Sequence, residues 1–374
     1  MTSVASPFTL RPSSHLTSDA ERSAKLSSPG FGTVFTDHMV TINYREGLEG
    51  GGWHNAQLVP YGPLALDPAT AALHYGQSVF EGVKAYRMPD GAITLFRPER
   101  NAQRFQRSCA RMAIPPLPEE LFLESIRVLV SQDRAWVPDA PETSLYLRPF
   151  CFASEAFLGV RPAREYLYML LASPVGAYFA NGVAPVSVWL STDYTRAAPG
   201  GTGEAKCAGN YAASLVAQVQ AAQAGCDQVV WLDAVERRWV EEMGGMNLFF
   251  VFTDFAGQVS LITPGLTGTL LAGVTRESIL QLAPDLGYNV SQRGISTQEW
   301  RQAAGSGELT EVFACGTAAV ITPVGTVKSA AGEFSVGDGQ PGPVTMRLRE
   351  LLLDIQHGRA ADPHGWRRVL LPAP

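Results

Sequence analysis

The sequence predicts an α+β fold in two domains, and three observations carry that reading. At 374 residues the chain has room for two cores of ordinary domain size, roughly 100–200 residues each. Two strand-like runs, 83–87 and 92–96, flank Met88-Pro89-Asp90-Gly91, whose Pro, Asp and Gly suit a tight hairpin turn. Adjacent antiparallel strands do not fit the simple strand–helix alternation of a doubly wound parallel sheet.

Residues 1–28 are rich in Ser and Thr, show almost no apolar periodicity, and read as a flexible N-terminal tail. A smaller α+β domain is expected over 29–173. Beyond the hairpin it has helical spacing over 97–112 and 119–134, then strands at 144–152 and 167–172. Pro174 and two glycines mark 174–185 as the interdomain linker. The larger domain, 186–374, opens with a strand at 186–191, a glycine-rich loop, and a helix over 211–224 stopped by Gly225. Strands at 228–233, 247–252 and 258–262 follow. A helix at 275–286, a strand at 311–314 and a closing helix near 344–356 complete the chain.

Composition narrows the function classes. A hydrophobic fraction of 46% excludes a disordered chain, and a net charge of −6 leaves no basic footprint for nucleic acid. No window approaches the roughly 18 uninterrupted apolar residues of a membrane helix, so no membrane association is expected. Five cysteines, odd in number and without Cys-x-x-Cys, fit neither a disulfide framework nor a zinc ribbon. A reducing, cytoplasmic setting is expected. The first 28 residues lack the apolar core of a secretory signal, and Asp19 and Glu21 argue against a transit peptide. No G-x-G-x-x-G, G-x-x-x-x-G-K, H-E-x-x-H or G-x-S-x-G occurs, and the six histidines are scattered; neither a metal site nor a nucleophilic serine is expected.

The basic residues are more informative. Of 29, 25 are arginine and only Lys25, Lys84, Lys206 and Lys328 are lysine. A retained lysine raises the question of whether an amine is needed, because an amine can deprotonate and attack a carbonyl. Lys25 falls in the tail, Lys328 in a polar loop, and Lys84 in mid-strand, where ion pairing is the ordinary reading. Lys206 lies between a glycine loop and an apolar helix start, with Tyr211 five residues on. Glu241-Glu242 sits just before Met243-Gly-Gly-Met-Asn247, where a strand starts, and a carboxylate there is well placed to pair with a buried cation. Ala272-Gly-Val-Thr275 opens a helix with free amides and a hydroxyl, the makings of an anion site, and Cys315-Gly-Thr-Ala318 ends a strand in a similar turn. Amine, phenol, carboxylate and phosphate cradle together are what a pyridoxal phosphate enzyme requires.

Five segments, in order and compatibly spaced, make the pattern specific: Phe80-Glu-Gly-Val-Lys-Ala-Tyr86, Tyr146-Leu-Arg-Pro149, Lys206-Cys-Ala-Gly-Asn-Tyr211, Glu241-Glu-Met-Gly-Gly-Met-Asn247 and Cys315-Gly-Thr-Ala-Ala319. They closely resemble the branched-chain amino acid aminotransferases, which have the fold type IV architecture of pyridoxal phosphate enzymes. The likeness runs from about Phe31 to Gly358. It implies two domains with the coenzyme, pyridoxal 5'-phosphate, at their interface. By the same matching, Lys206 forms the Schiff base, Glu242 pairs with the pyridine nitrogen, and Tyr211 hydrogen-bonds the phenolic oxygen. Arg104, Val274, Thr275 and Thr317 are implied to hold the phosphate. Tyr146 and the Thr317-Ala318 amides are implied to receive the substrate α-carboxylate, and Arg148 the distal carboxylate of glutamate. Phe31, Phe80 and Tyr178 would wall the apolar pocket, although core packing is the ordinary reading for aromatics.

Two positions depart from the pattern. Some relatives carry Cys-x-x-Cys after the Gly-Thr-Ala turn; Ala319 and Thr322 stand there instead, so no thiol switch is expected. Gly245 replaces a threonine of some relatives and should enlarge the substrate pocket. The implied activity moves the amino group of leucine, isoleucine or valine to 2-oxoglutarate, giving the 2-oxo acids and glutamate, in a homodimer. An aminodeoxychorismate lyase or a D-amino acid transaminase of the same fold type is the alternative. Tyr146-x-Arg148 departs from the Arg-x-His of the D-specific relatives, and the complete lysine–tyrosine–glutamate set disfavours a mere coenzyme carrier.

Overall fold

A computed structural model describes residues 6–48, 52–176 and 183–374. The chain divides into two compact units, each mixing helices with a sheet. The first takes residues 1–178, 205–208 and 354–374, and the second takes 179–204 and 209–353.

The first unit is built on a nine-stranded sheet among the described residues. Its centre is a long antiparallel pair, Ser144–Ala153 against Glu165–Val175, with Tyr146 opposite Ser173 and Arg148 opposite Leu171. Val83–Arg87 pairs the other side of the 144–153 strand and Ser78–Phe80 pairs its far end, so Lys84 faces Tyr146 and Phe80 faces Phe150. The 88–91 turn closes as the sequence predicts. Met88 N–H donates to the Ala92 carbonyl at 2.8 Å, Gly91 takes φ +84°, and Ile93–Phe96 pairs back antiparallel. Helices Pro98–Arg111 and Glu119–Gln132 cover the sheet; the first starts with proline at its first position, where no intrahelical N–H is needed. Phe105, Phe122 and Tyr168 form the aromatic centre of this core, with ring centroids 5.5 Å (Phe105–Phe122) and 5.8 Å (Phe105–Tyr168) apart.

Two boundaries differ from the sequence expectation. The segment read as a flexible tail holds a short strand, Thr9–Leu10, parallel to Gln57–Leu58, and a helix, Asp19–Ser27. Ser18 caps that helix by accepting from Glu21 N–H, and Thr17 is tied to Asp37. The Ser-x-x-Glu spacing was a readable helix start that the polar composition masked. The chain's end also leaves the second unit: Arg367–Leu371 pairs antiparallel with Ile93–Phe96 in the first.

The second unit has its own sheet, nine-stranded among the described residues. In order across it lie Val240–Met243, Gln228–Leu232, Val186–Ser191, Val320–Ser329, Leu309–Gly316 and Met246–Thr253, then Val259–Thr263 and Asn289–Gln292; Gly332–Ser335 pairs the 320–329 strand. Because 240–243 also pairs 246–253, the first six strands close into a ring, which removes two edges. Inside the unit Phe250 meets Trp300 edge-on at 5.0 Å, and Phe334 meets the same indole at 5.9 Å, within a largely aliphatic cluster. The helix expected over 211–224 is two helices, Ala208–Ala212 and Leu215–Gln223. The break falls where the Ser214 hydroxyl donates to the Tyr211 carbonyl at 2.6 Å, competing with the helical ladder.

Candidate active site

In the first unit, strand alternation puts Tyr146 and Arg148, two residues apart, on one sheet face. Arg148 Nη2 donates to the Tyr146 hydroxyl at 3.0 Å, and its guanidinium lies 4.8 Å from the Phe80 ring centroid. Phe31 packs on Tyr146 at 5.1 Å between centroids. The Lys206 amine sits 4.7 Å from the centroid of the same Phe80 ring. Its backbone is held as firmly: Phe80 N–H donates to the Lys206 carbonyl, and Lys206 N–H donates to Ser108 Oγ, both at 2.9 Å. The structure therefore gathers Phe31, Phe80, Tyr146, Arg148 and Lys206, which lie far apart in sequence. Arg104 is paired through two nitrogens with Glu81, at 2.6 and 2.9 Å, and both side chains are buried. Glu81 was not singled out from sequence, although it lies within the Phe80-Glu-Gly motif.

In the second unit, Glu242 lies on the 240–243 strand, buried at 1% exposure. Its Oε1 accepts from Leu271 N–H at 2.7 Å and from Asn247 Nδ2 at 3.3 Å, and its Oε2 is 3.2 Å from the Arg196 guanidinium. Glu242 pairs with Asn247 and Asn247 with Cys315 in strand register, so the three share one sheet face. Asn247 and Arg196 were missed from sequence because only strand pairing and the 192–203 loop bring them to Glu242.

Helix Val274–Asp285 starts close by, with Val274 and Thr275 in its first turn. A Cβ on its N-cap residue, Gly273, would lie 2.1 Å from Asn247 Oδ1, so only glycine lets this helix end approach the 246–253 strand. Arg276, buried in the same turn, donates to the Pro264 carbonyl at 2.9 Å and to Gln292 at 2.8 Å; burial holds its pKa below the ordinary arginine value. Thr317 and Ala318 lie half-buried in the turn that ends the Leu309–Gly316 strand. At Gly245 a Cβ would stand 3.3 Å from the Tyr211 ring, so the volume freed by the missing threonine lies beside Tyr211. Tyr178 lies outside the described residues.

Of the other lysines, Lys84 is buried on the 83–87 strand, and Lys25 and Lys328 have ordinary surroundings. Lys25 pairs with Glu21 at 2.8 Å, and Lys328 donates to the Ala224 carbonyl at 3.3 Å. All five cysteines are free and buried, and burial pushes the Cys109, Cys151, Cys226 and Cys315 thiols up.

Comparison with known proteins matches this geometry to a family. Residues 78–327 match the model of amino-transferase class IV, a span that contains every site residue above except Phe31. The chain is 61% identical over 360 residues to the branched-chain-amino-acid aminotransferase of Mycolicibacterium smegmatis, covering 96% of this chain and 97% of that one. The chain belongs to the class IV aminotransferases. Within them it belongs to the branched-chain-amino-acid aminotransferase family. The solved Escherichia coli enzyme of that name superposes with a TM-score of 0.72 at 28% identity, over 89% of this chain and 99% of that one. The T.th. enzyme, solved with pyridoxamine 5'-phosphate, gives 0.69 at 31% identity, over 88% and 98%. The α+β units of this aminotransferase are thus those of fold type IV. Among its described residues no helix is long and apolar enough to cross a membrane.

Proposed function

We propose that this aminotransferase moves the amino group of leucine, isoleucine or valine to 2-oxoglutarate, using pyridoxal 5'-phosphate. The residues present fit that coenzyme. Glu242 offers a buried carboxylate for a protonated ring nitrogen, Tyr211 a phenol for the ring oxygen, and Lys206 an amine to hold the aldehyde carbon. Arg104, the Val274–Thr275 helix start and Thr317 are a donor set suited to a phosphate. When bound, the coenzyme supplies an electron sink for charge developing at the substrate α-carbon.

The chain's own residues do the rest. Lys206 Nζ takes the α-proton of the bound amino acid and later returns it, as base and then as acid. Tyr146 and the Thr317-Ala318 amides orient the α-carboxylate. Phe31 and Phe80 receive the hydrocarbon side chain of leucine, as Tyr178 does in this reading. Arg148 meets the distal carboxylate when glutamate takes its place, because a buried unpaired carboxylate costs several kcal/mol. The enzyme works as a homodimer in the cytoplasm.

The observation that carries this reading is the Phe80 ring, which has the Lys206 amine and the Arg148 guanidinium at 4.7 and 4.8 Å from its centroid. A proton-transfer group and a carboxylate receptor are thereby held at one apolar surface. The test is turnover of leucine with 2-oxoglutarate by wild type and Lys206→Ala. The variant should fold, shown by an unchanged circular dichroism spectrum, and lose the visible coenzyme band and all turnover. A Lys84→Ala variant that loses the band while Lys206→Ala keeps it would reassign the amine.

A further inference from the structure

Arg196 reaches Glu242 from the 192–203 loop, and both side chains are buried. Its Nη2 lies 3.2 Å from Glu242 Oε2 and also donates to the Thr269 carbonyl. Both terminal nitrogens donate to the Gly203 carbonyl at 3.4 Å. Only glycine fits at 203, because a Cβ there would lie 2.5 Å from the Thr269 carbonyl oxygen. Two backbone carbonyls thus hold the guanidinium in place, and neither carries a charge that competes with the carboxylate for it.

Two other charged groups lie within electrostatic range of this pair. Glu241 feels the Arg196 charge, but its Oε1 accepts from the Thr269 hydroxyl, and no ion pair joins it to Arg196 among the described residues. Arg276 feels Glu242, but its Nη2 donates to the Pro264 carbonyl at 2.9 Å and to Gln292 at 2.8 Å. On Glu242 itself, Oε1 is taken up by Leu271 N–H and Asn247 Nδ2, which leaves Oε2 to the guanidinium of Arg196.

A buried carboxylate that meets a pyridine nitrogen can share one proton in two ways. Either the nitrogen keeps it and two opposite charges remain, or the carboxyl takes it and both groups become neutral. Burial favours the neutral arrangement, because a buried charge is costly. A fixed cation against the carboxylate favours the charged one, and a guanidinium stays protonated when buried. We propose that Arg196 is a positioning residue of the transamination: it orients Glu242 and keeps its carboxylate charged, so that the proton stays on the coenzyme's ring nitrogen. The electron sink needs that proton there. This inference rests on the reading above that Glu242 meets the ring nitrogen.

The test uses holoenzyme loaded with pyridoxal 5'-phosphate that carries nitrogen-15 in its ring. The nitrogen chemical shift reports whether that atom holds a proton, which a merely structural arginine would not alter. Wild type should give the protonated value and Glu242→Gln the unprotonated one. Arg196→Met should move the signal toward the Glu242→Gln value. Its kcat should fall about tenfold or more, while KM for leucine stays within about twofold. Arg196→Lys, whose ammonium keeps a positive charge beside Glu242, should keep the signal near wild type. A signal that responds to Glu242→Gln but not to Arg196→Met overturns this proposal alone. A signal that does not respond to Glu242→Gln overturns the reading of Glu242, and this proposal with it. Equal displacement by Met and Lys would show that the charge is not what acts. If Arg196→Met fails to fold, Arg196→Lys decides: the wild-type value supports the proposal, and the Glu242→Gln value overturns it.

Discussion

Arg148 shows how much chemistry rests on one side chain. It touches Tyr146 and Phe80, and its Nε is buried with no hydrogen-bond partner among the described residues. If it serves the distal carboxylate, Arg148→Leu should slow the half-reaction with glutamate by orders of magnitude and the one with leucine far less. Single-turnover rates with each amino donor measure this. Equal losses on folded protein would make Arg148 a structural residue of the first unit. At this scale Lys206, Tyr211, Glu242, Tyr146 and Arg148 were legible as candidates, because they sit in short motifs whose chemistry is local. Glu81 and Arg196 were not, since each acquires its partner, Arg104 or Glu242, only through folding.

Helix ends and turns decide the elements. The closing helix, Pro343–Gln356, is capped from a distant strand: Glu311 Oε1 and Oε2 accept from Val344 and Thr345 N–H at 3.0 and 2.7 Å. The carboxylate also complements the positive end of the helix dipole. Glu311→Ala should therefore cost about 1–3 kcal/mol, read as a lower thermal midpoint. Glu311→Gln should keep part of the loss from appearing, because one amide oxygen can still accept. No local pattern marks this cap, as 33 positions separate Glu311 from Val344. Val320 is a second case. It holds φ +62°, rare for a β-branched residue, directly after the Thr317-Ala318-Ala319 turn and opposite Gly316 in the ladder. Such strain is retained when the surroundings over-determine it, and here it shapes the turn proposed to meet phosphate and carboxylate.

Across the whole molecule, acid stability follows from the C-terminal segment. His357 lies buried with its ring edge-on to Tyr86 at 5.0 Å. Burial, helped by the Arg359 and Lys84 charges, pushes its pKa down to about 4 from an ordinary 6.5. The unfolded chain therefore takes up a proton near pH 6.5 that the folded ring refuses until about pH 4. The fold is penalised progressively as pH falls through that window, by on the order of 3 kcal/mol at its acid end, and is unaffected above it. His357→Phe keeps the aromatic contact and removes the titration. Urea midpoints at pH 7.5 and 5.0 should fall more for wild type than for the variant; an equal fall would assign the acid sensitivity elsewhere.

By itself the sequence determined the α+β class, the hairpin at 88–91 and the aminotransferase family, because turn chemistry, hydrophobic period and short motifs are local properties. Only the tertiary structure decided which residues become partners. It returned 205–208 and 354–374 to the first unit, closed six strands of the second into a ring, and joined Arg104 to Glu81 and Arg196 to Glu242. Those pairings depend on strand register and on buried charges finding counter-charges, which are properties of the packed chain and of no segment within it.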